Sequence, residues 1–259
     1  MTCARSRRRV HGHRKAQAGM TFVEVSVALV VAGLMSWAAF SGYETVSAQQ
    51  EIERGRAEAQ QLQSVVRAFA LRHGRLPCPA ANTDGYESLT AGVCTTGNQV
   101  GWFPYVSVGL EQPTDRLRAR YSVLRAAHAT AAQDADLAVA RERTGDAAGD
   151  ATFLDVTDLI AALNNAATLL FAATRTHLTG DAGAAGAMDC AANPVMAAAY
   201  WVVVPLQDKD NDGNRLDAPH ALTSLCAASP SAPLRLASDD VVEAESPAQL
   251  AGWLRKSLP

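Results

Sequence analysis

The sequence predicts an α+β protein with a long N-terminal helix, membrane-embedded over its first part, and a head built on a small antiparallel sheet. Three observations support this fold class. From Val25 to Phe40 the chain is apolar except for two serines and one glycine. Apolar residues then recur at helical spacing up to about Arg72. Further along, β-branched and aromatic residues concentrate at residues 200–204 and again at Val241 and Val242, which favours strands.

The first part of the helix is long enough to cross a membrane. Residues 20–40 match the roughly 20 apolar residues that a transmembrane helix needs. Residues 1–19 carry six basic residues and no acidic one, which predicts a cytoplasmic N-terminus with the remainder outside. A secretory signal peptide is the alternative, but its apolar region spans only about 7–15 residues before a cleavage site. We therefore expect this segment to be retained.

The second part of the helix, residues 41–72, is amphipathic. Its apolar residues form one stripe at near-heptad spacing, while charged residues occupy the other faces. The stripe consists of Ile52, Ala59, Leu62, Val66 and Phe69. His73 and Gly74 then provide a C-terminal stop. We expect the stripe to pack against the head, and a partner helix in a coiled coil is the alternative.

Glu24 lies almost at the start of the apolar segment. A carboxylate inside a membrane costs on the order of 2.5–3.5 kcal/mol by insertion scales, and such residues are usually functional. The alternative is that the side chain reaches the lipid headgroups. We predict that Glu24 takes part in assembly.

The N-terminus resembles the type IV prepilin family, which includes pilins, minor pilins and the pseudopilins of type II secretion. Its basic leader ends in Gly19, Met20 follows where the family usually has Phe, and Glu24 occupies the fifth mature position. The resemblance implies that a prepilin peptidase cuts between Gly19 and Met20 and removes residues 1–19. It also implies methylation of the new N-terminus, and pairing of Glu24 in one subunit with the Met20 amine of its neighbour.

A second stretch resembles a pattern of prepilin-like proteins. It consists of Leu-Pro-Cys-Pro ending at Pro79, a second cysteine at Cys94, a Gly-x-x-Pro-aromatic run over 101–105, and the pair Gly109-Leu110. The family's usual Trp-Gly after Asp115 is absent. This resemblance implies a minor pilin or a pseudopilin. The protein would then be a single-pass protein of the bacterial inner membrane, with a periplasmic head over residues 73–259.

Four cysteines lie in the head, where an oxidising periplasm favours disulfides. They allow three pairings. We favour Cys78–Cys94 and Cys190–Cys226, because each pair closes a short or moderate loop within its own segment. Zinc binding is the alternative, but the sequence contains no Cys-x2-Cys pair.

Residues 125–195 are rich in alanine and poor in strand formers. A capping box over 152–155 and apolar residues at helical spacing predict a helix up to about His177. This region has too few large apolar residues for its own core, so we interpret it as a helical insertion within the head. A final short helix or turn is expected over 246–258.

An acidic loop matches the first half of an EF-hand. Asp208, Asp210 and Asp212 alternate before Gly213, and hard oxygen ligands at these positions suit calcium. Some pseudopilins carry a calcium in the head, so the resemblance agrees with this hypothesis. The alternative is a turn with solvated carboxylates.

The second half of the loop departs from the EF-hand pattern. Pro219 stands where the bidentate Glu would be, so Asp217, or Asp239 and Asp240 from elsewhere, would complete the site. A structural calcium is the one cofactor that the sequence indicates, and we expect none to be required.

Composition and motifs argue against two other classes of function. Without residues 1–19 the chain has 17 basic and 26 acidic residues, a formal charge of −9, which argues against nucleic-acid binding. The histidines lack metal-ligand spacing, and neither a nucleophile motif nor a phosphate loop occurs, so we do not expect an enzyme.

We expect a structural subunit that a prepilin peptidase processes. With other pilin or pseudopilin subunits and an inner-membrane assembly platform, it would build or prime a type IV pilus or a secretion pseudopilus. A membrane-anchored adhesion or ligand-binding protein that does not polymerise is the main alternative. A secreted hydrolase, cleaved after the apolar run, is a third.

Overall fold

The computed structural model describes most of the chain from Thr21 onward. The described residues are 21–127, 134–145, 155–181, 183, 188–191, 194–209, 211–217, 220, 223–232, 235 and 237–258. They fall into two compact units, one ending at Ala48 and the other beginning at Gln49.

One long helix, α1 (Phe22–His73), runs through both units. Its bounds agree with the predicted helix over 20–72, and it stops where expected, because Gly74 adopts a left-handed backbone (φ +57°) and its N–H caps the carbonyl of Ala70 at 3.0 Å. Ala59, Leu62, Val66 and Phe69 of the predicted stripe are buried in the second unit, and Ile52 packs at the edge of the same core.

Among its described residues, the second unit also contains two shorter helices, a 3-10 turn at Asp115–Leu117 and eleven short strands. The helices are α2 (Val156–Thr168) and α3 (Pro247–Ser257). The strands are β1 (Leu89–Thr90), β2 (Val93–Cys94), β3 (Val100–Trp102), β4 (Arg120–Val123), β5 (Arg125–Ala126), β6 (Ala135–Asp136), β7 (His177–Thr179), β8 (Pro194–Ala197), β9 (Tyr200–Val204), β10 (Cys226–Ala228) and β11 (Val241–Glu245).

The main sheet has four antiparallel strands in the order β11-β9-β4-β3. The predicted strands at 200–204 and 241–242 are its β9 and β11. All five residues of β9 are buried, and they alternate between two cores. Tyr200, Val202 and Val204 join the core shared with the three helices, whereas Trp201 and Val203 face a smaller core. The sheet is therefore covered on both faces, as a strand of continuous apolar residues requires.

A smaller sheet in the order β10-β7-β8 corrects the prediction of a helical insertion over 125–195. Within the described residues of that region only α2 is a helix, and it ends at Thr168 instead of near His177. His177 begins β7, which pairs in parallel with Cys226–Ala228 of β10. Parallel pairing with a distant segment outweighs the local helical spacing, and Leu170 and Phe171, expected in the helix, are left exposed.

The capping box of α2 also differs from the prediction. Asp155 is the N-cap, and Asp158 is the third helical residue that completes the box. The expected box had started at residue 152, which lies outside the described residues. At the other end of the chain, Ser246 and Gln249 form a capping box that starts α3 within the segment predicted as a short helix or turn.

An ion pair joins α1 to the edge of the main sheet. Arg67 of α1 contacts Glu245 of β11 through Nη2 and Nε, at 2.5 and 3.2 Å. The hydroxyl of Tyr200 donates to the same carboxylate at 2.5 Å. The Arg67 guanidinium also lies 5.0 Å from the ring centre of Trp253 in α3. This cluster connects two helices and two strands of the head.

Candidate functional site

The N-terminal half of α1 exposes a predominantly apolar surface. Every large apolar side chain from Phe22 to Tyr43 is solvent-exposed. This is the one described helix that is long and apolar enough to cross a membrane, judged by length and composition. An apolar helix that is exposed all round in a folded chain needs an apolar environment.

Glu24 lies in the first turn of this helix and closes a capping box with Thr21. The Glu24 carboxylate accepts the backbone N–H of Thr21 at 2.8 Å and its hydroxyl at 3.1 Å. In return, the backbone N–H of Glu24 donates to the Thr21 hydroxyl at 3.4 Å. The two hydrogen bonds from the backbone N–H groups of Thr21 and Glu24 satisfy donors that the helix start leaves without an intrahelical partner. The sequence contained the signature, since a Thr followed three residues later by Glu precedes the apolar run.

Gly19 and Met20, the residues of the predicted cleavage site, lie outside the described residues. The peptide cleavage therefore remains a prediction from the sequence. The described helix begins two residues after Met20.

Two disulfides are present in the head, with the pairing expected from the sequence. Cys78–Cys94 joins the extended Pro-Cys-Pro segment to β2, and Cys190–Cys226 joins the segment before β8 to β10. These bonds use all four cysteines of the head, so the structure does not support zinc binding by them.

The acidic loop is organised by its own carboxylates. Asp208 accepts the backbone N–H groups of Asp212 and Gly213 at 3.2 and 3.0 Å. The Asp212 carboxylate accepts the backbone and side-chain N–H groups of Asn214. Asp210 lies outside the described residues. The described part of the loop thus forms turns, and its calcium-binding role stays a prediction.

The structure brings Asp217 together with two acids from a distant segment. One carboxylate oxygen from each of Asp217, Asp239 and Asp240 lies within 4.8 Å of the other two. Asp217 is buried and accepts the backbone N–H groups of Lys209 at 2.7 Å and Asp239 at 3.0 Å. Asp217 therefore ties the acidic loop to the segment that leads into β11.

His220 contacts this acidic cluster through Asp240. Its Nδ1 is 2.7 Å from Oδ2 of Asp240, and its Nε2 accepts the backbone N–H of Ala228 at 3.2 Å. Since Nε2 acts as an acceptor, Nδ1 carries the proton and donates to Asp240. A buried Asp–His pair resembles part of a catalytic triad, but here the second nitrogen is already occupied by the main chain. The hydrogen bond from His220 therefore orients the Asp240 carboxylate.

Burial raises the pKa of Asp240 to about 6, against the opposing effect of the His220 hydrogen bond. Sequence reasoning did not find His220, because its spacing to Asp240 carries no local pattern. It also placed His177 at the end of a helix, whereas His177 is buried in β7 and its Nδ1 is 2.8 Å from the carbonyl oxygen of Arg175.

Comparison of the chain with protein-family models, with curated protein sequences and with solved structures finds no match.

Proposed function

We propose that this chain is a structural subunit of the minor pilin or pseudopilin kind, anchored in a bacterial inner membrane and assembled into, or priming, a pilus or a secretion pseudopilus. The observation that carries the proposal is the exposed apolar half of α1 with a single carboxylate, Glu24, in its first turn. If such helices packed side by side in a filament, the apolar side chains would be covered and the carboxylate would lie against a neighbouring subunit.

The charge of Glu24 has a specific use in this proposal. Cleavage after Gly19 would leave the amine of Met20 as a cation near the membrane surface. A neighbouring subunit would then neutralise it with Glu24, which offsets the cost of a carboxylate within an apolar environment. The capping box with Thr21 fixes the position of the Glu24 carboxylate at the start of the helix.

Glu24→Gln tests this role without disturbing the helix start. Gln completes a capping box as Glu does, so the variant keeps the contacts to Thr21 and removes only the charge. We expect incorporation into filaments, measured by site-specific crosslinking to a co-expressed pilin, to fall about tenfold or more, which corresponds to about 1.4 kcal/mol per subunit contact.

Glu53→Gln is the matched control, because Glu53 lies on the same helix and is exposed. It should assemble like the native chain. Native incorporation of Glu24→Gln would remove the assembly role of this carboxylate and would favour an anchored binding protein that does not polymerise.

A further inference from the structure

A cavity of about 320 Å³ in the head is lined by α1, by the segment that joins β10 to β11, and by β11 itself. Its charged and polar lining includes Arg56, Gln60, Ser229, Arg235, Ser238 and Glu243. We infer that this cavity binds a small zwitterion, an amino acid or a short peptide with free ends. This inference concerns the head alone and does not depend on filament assembly.

Arg235 supplies the positive charge for the ligand's carboxylate. Its backbone pairs with Ser238 in an isolated bridge, and its Nη2 donates to the carbonyl oxygen of Asp181 at 3.2 Å. A guanidinium has five N–H donors, and Arg235 makes no other hydrogen bond and no ion pair with a described residue. Burial lowers the pKa of Arg235, and the charge of Asp181 opposes this effect. A bound carboxylate would stabilise the half-buried guanidinium through charge-assisted hydrogen bonds.

Glu243 supplies a negative charge in the same cavity. Its side chain is half-buried and forms no ion pair with a described residue. Burial raises the pKa of this carboxyl, and the charges of Arg67 and Arg56 lower it. An ammonium group beside Glu243 would likewise favour the charged form and offset the cost of burial.

The two charges act at different places in the cavity. Arg56 and Arg67 are the cations that act on Glu243, whereas Asp181 is the acid that acts on Arg235. No ion pair joins Arg235 to Glu243. A cavity that keeps an unpaired cation and an unpaired carboxylate apart is complementary to a ligand with opposite charges at its two ends.

Asp240 forms part of the cavity wall and is not expected to contact the ligand. Its side chain is 0 % exposed, and its Oδ2 accepts from His220 and from the backbone N–H of Asp217. Glu243 is therefore the acid that we assign to the ligand's ammonium group.

The remaining lining suits a peptide of a few residues. Ser238 is buried, yet its hydroxyl makes no hydrogen bond with a described residue, so it can donate to or accept from a peptide group. Ile52 and Val242 add apolar side chains to the wall. The cavity lies at the lower end of the volume range of small-molecule sites, which limits the length of the ligand.

The test uses the full chain, purified in detergent. The probes are alanine, dialanine and trialanine, which place the same two charges at increasing separations. We expect isothermal titration calorimetry to show saturable binding of at least one of them, with one molecule per chain. The N-acetylated and the C-terminally amidated forms of that probe each lack one charge, and each should bind about tenfold more weakly or worse.

Arg235→Gln should weaken binding of the free probe by about tenfold or more and leave the affinity for the amidated probe unchanged, because the lost contact is the one to the carboxylate. Glu243→Gln should act in the same way on the ammonium end and leave the affinity for the acetylated probe unchanged. Arg116→Gln and Glu53→Gln, at exposed positions outside the cavity, should bind like the native chain. The comparison of free and capped probes on the native chain does not depend on the folding of any variant.

Three results would overturn the inference. One is the absence of saturable binding of every probe to the folded native chain. Another is equal affinity for the free and the capped probes, which would show that the charged ends are not recognised. The third is native affinity in both Arg235→Gln and Glu243→Gln, which would place the ligand outside this cavity.

Discussion

At the scale of single residues, Glu245 is the side chain that links α1 to β9 and β11 of the main sheet. Its carboxylate accepts from Arg67 of α1 and from Tyr200 of β9, and its side chain is 5 % exposed. The interaction raises the pKa of Arg67, because the neighbouring carboxylate favours the charged guanidinium. Burial, together with this carboxylate, holds the pKa of Tyr200 well above 10, so Tyr200 remains a donor at neutral pH.

Glu245→Gln should therefore destabilise the head. Gln can still accept from Tyr200 but cannot neutralise Arg67, and removing one partner of a largely buried ion pair costs about 3 kcal/mol. Urea unfolding followed by tryptophan fluorescence measures the loss. Glu53→Gln on the exposed side of α1 should change the free energy of unfolding by less than about 0.5 kcal/mol. Equal free energies of unfolding for the two variants would show that the ion pair of Glu245 with Arg67 does not stabilise the head.

Residue-scale predictability from sequence depended on whether the partner is local. The contact of Glu24 with Thr21 spans three residues and has a recognised sequence pattern, although our prediction for Glu24 did not include this contact. The contacts of Asp240 with Asp217 and His220 span about twenty residues through the fold, and no spacing rule connects them. From the sequence, Asp239 and Asp240 could be named only as residues from elsewhere that would complete the acidic loop's calcium site.

At the scale of elements, the end of α1 is coupled to the start of α2. Gly74 adopts φ +57°, and a Cβ atom there would lie 2.6 Å from the carbonyl oxygen of Asp155, the N-cap of α2. Only glycine fits both the backbone conformation and this close approach. The turn after α1 thus sets the distance between the two helices.

Gly74→Ala should reduce the free energy of unfolding by about 2 kcal/mol or more, since left-handed strain adds to a clash with main-chain atoms. Gly92→Ala is the matched control. Gly92 has φ +79° but no atom within 4 Å of the Cβ position, so only the strain of about 1 kcal/mol applies. Both values come from denaturant unfolding, and equal losses in the two variants would show that the contact with Asp155 is unimportant.

The end of α1 and the strand β9 were predicted correctly, whereas the start and end of α2 and the strand β7 were not. The glycine stop of α1 and the apolar run of β9 are encoded within a few residues. Helical spacing predicted that the helix continues to about His177, yet residues 177–179 form β7 because β10 offers a parallel partner. Nothing within the segment itself indicates that partner.

At the scale of the whole molecule, the chain consists of two units that differ in which side chains they bury. The unit ending at Ala48 exposes apolar side chains along its helix, and the unit beginning at Gln49 has its own two cores and two disulfides. This division agrees with an anchor in a membrane and a head in an oxidising compartment. The α+β class with a long N-terminal helix and a small antiparallel sheet is as the sequence predicted.

The central claim is that the chain becomes an assembly subunit through cleavage between Gly19 and Met20. Intact mass and N-terminal sequencing of the chain, recovered from membranes of cells that contain a prepilin peptidase, test it most directly. We predict a chain that begins at Met20, lighter by residues 1–19 and their six basic side chains. A chain that still begins at Met1, or one that begins after Phe40, would contradict the account.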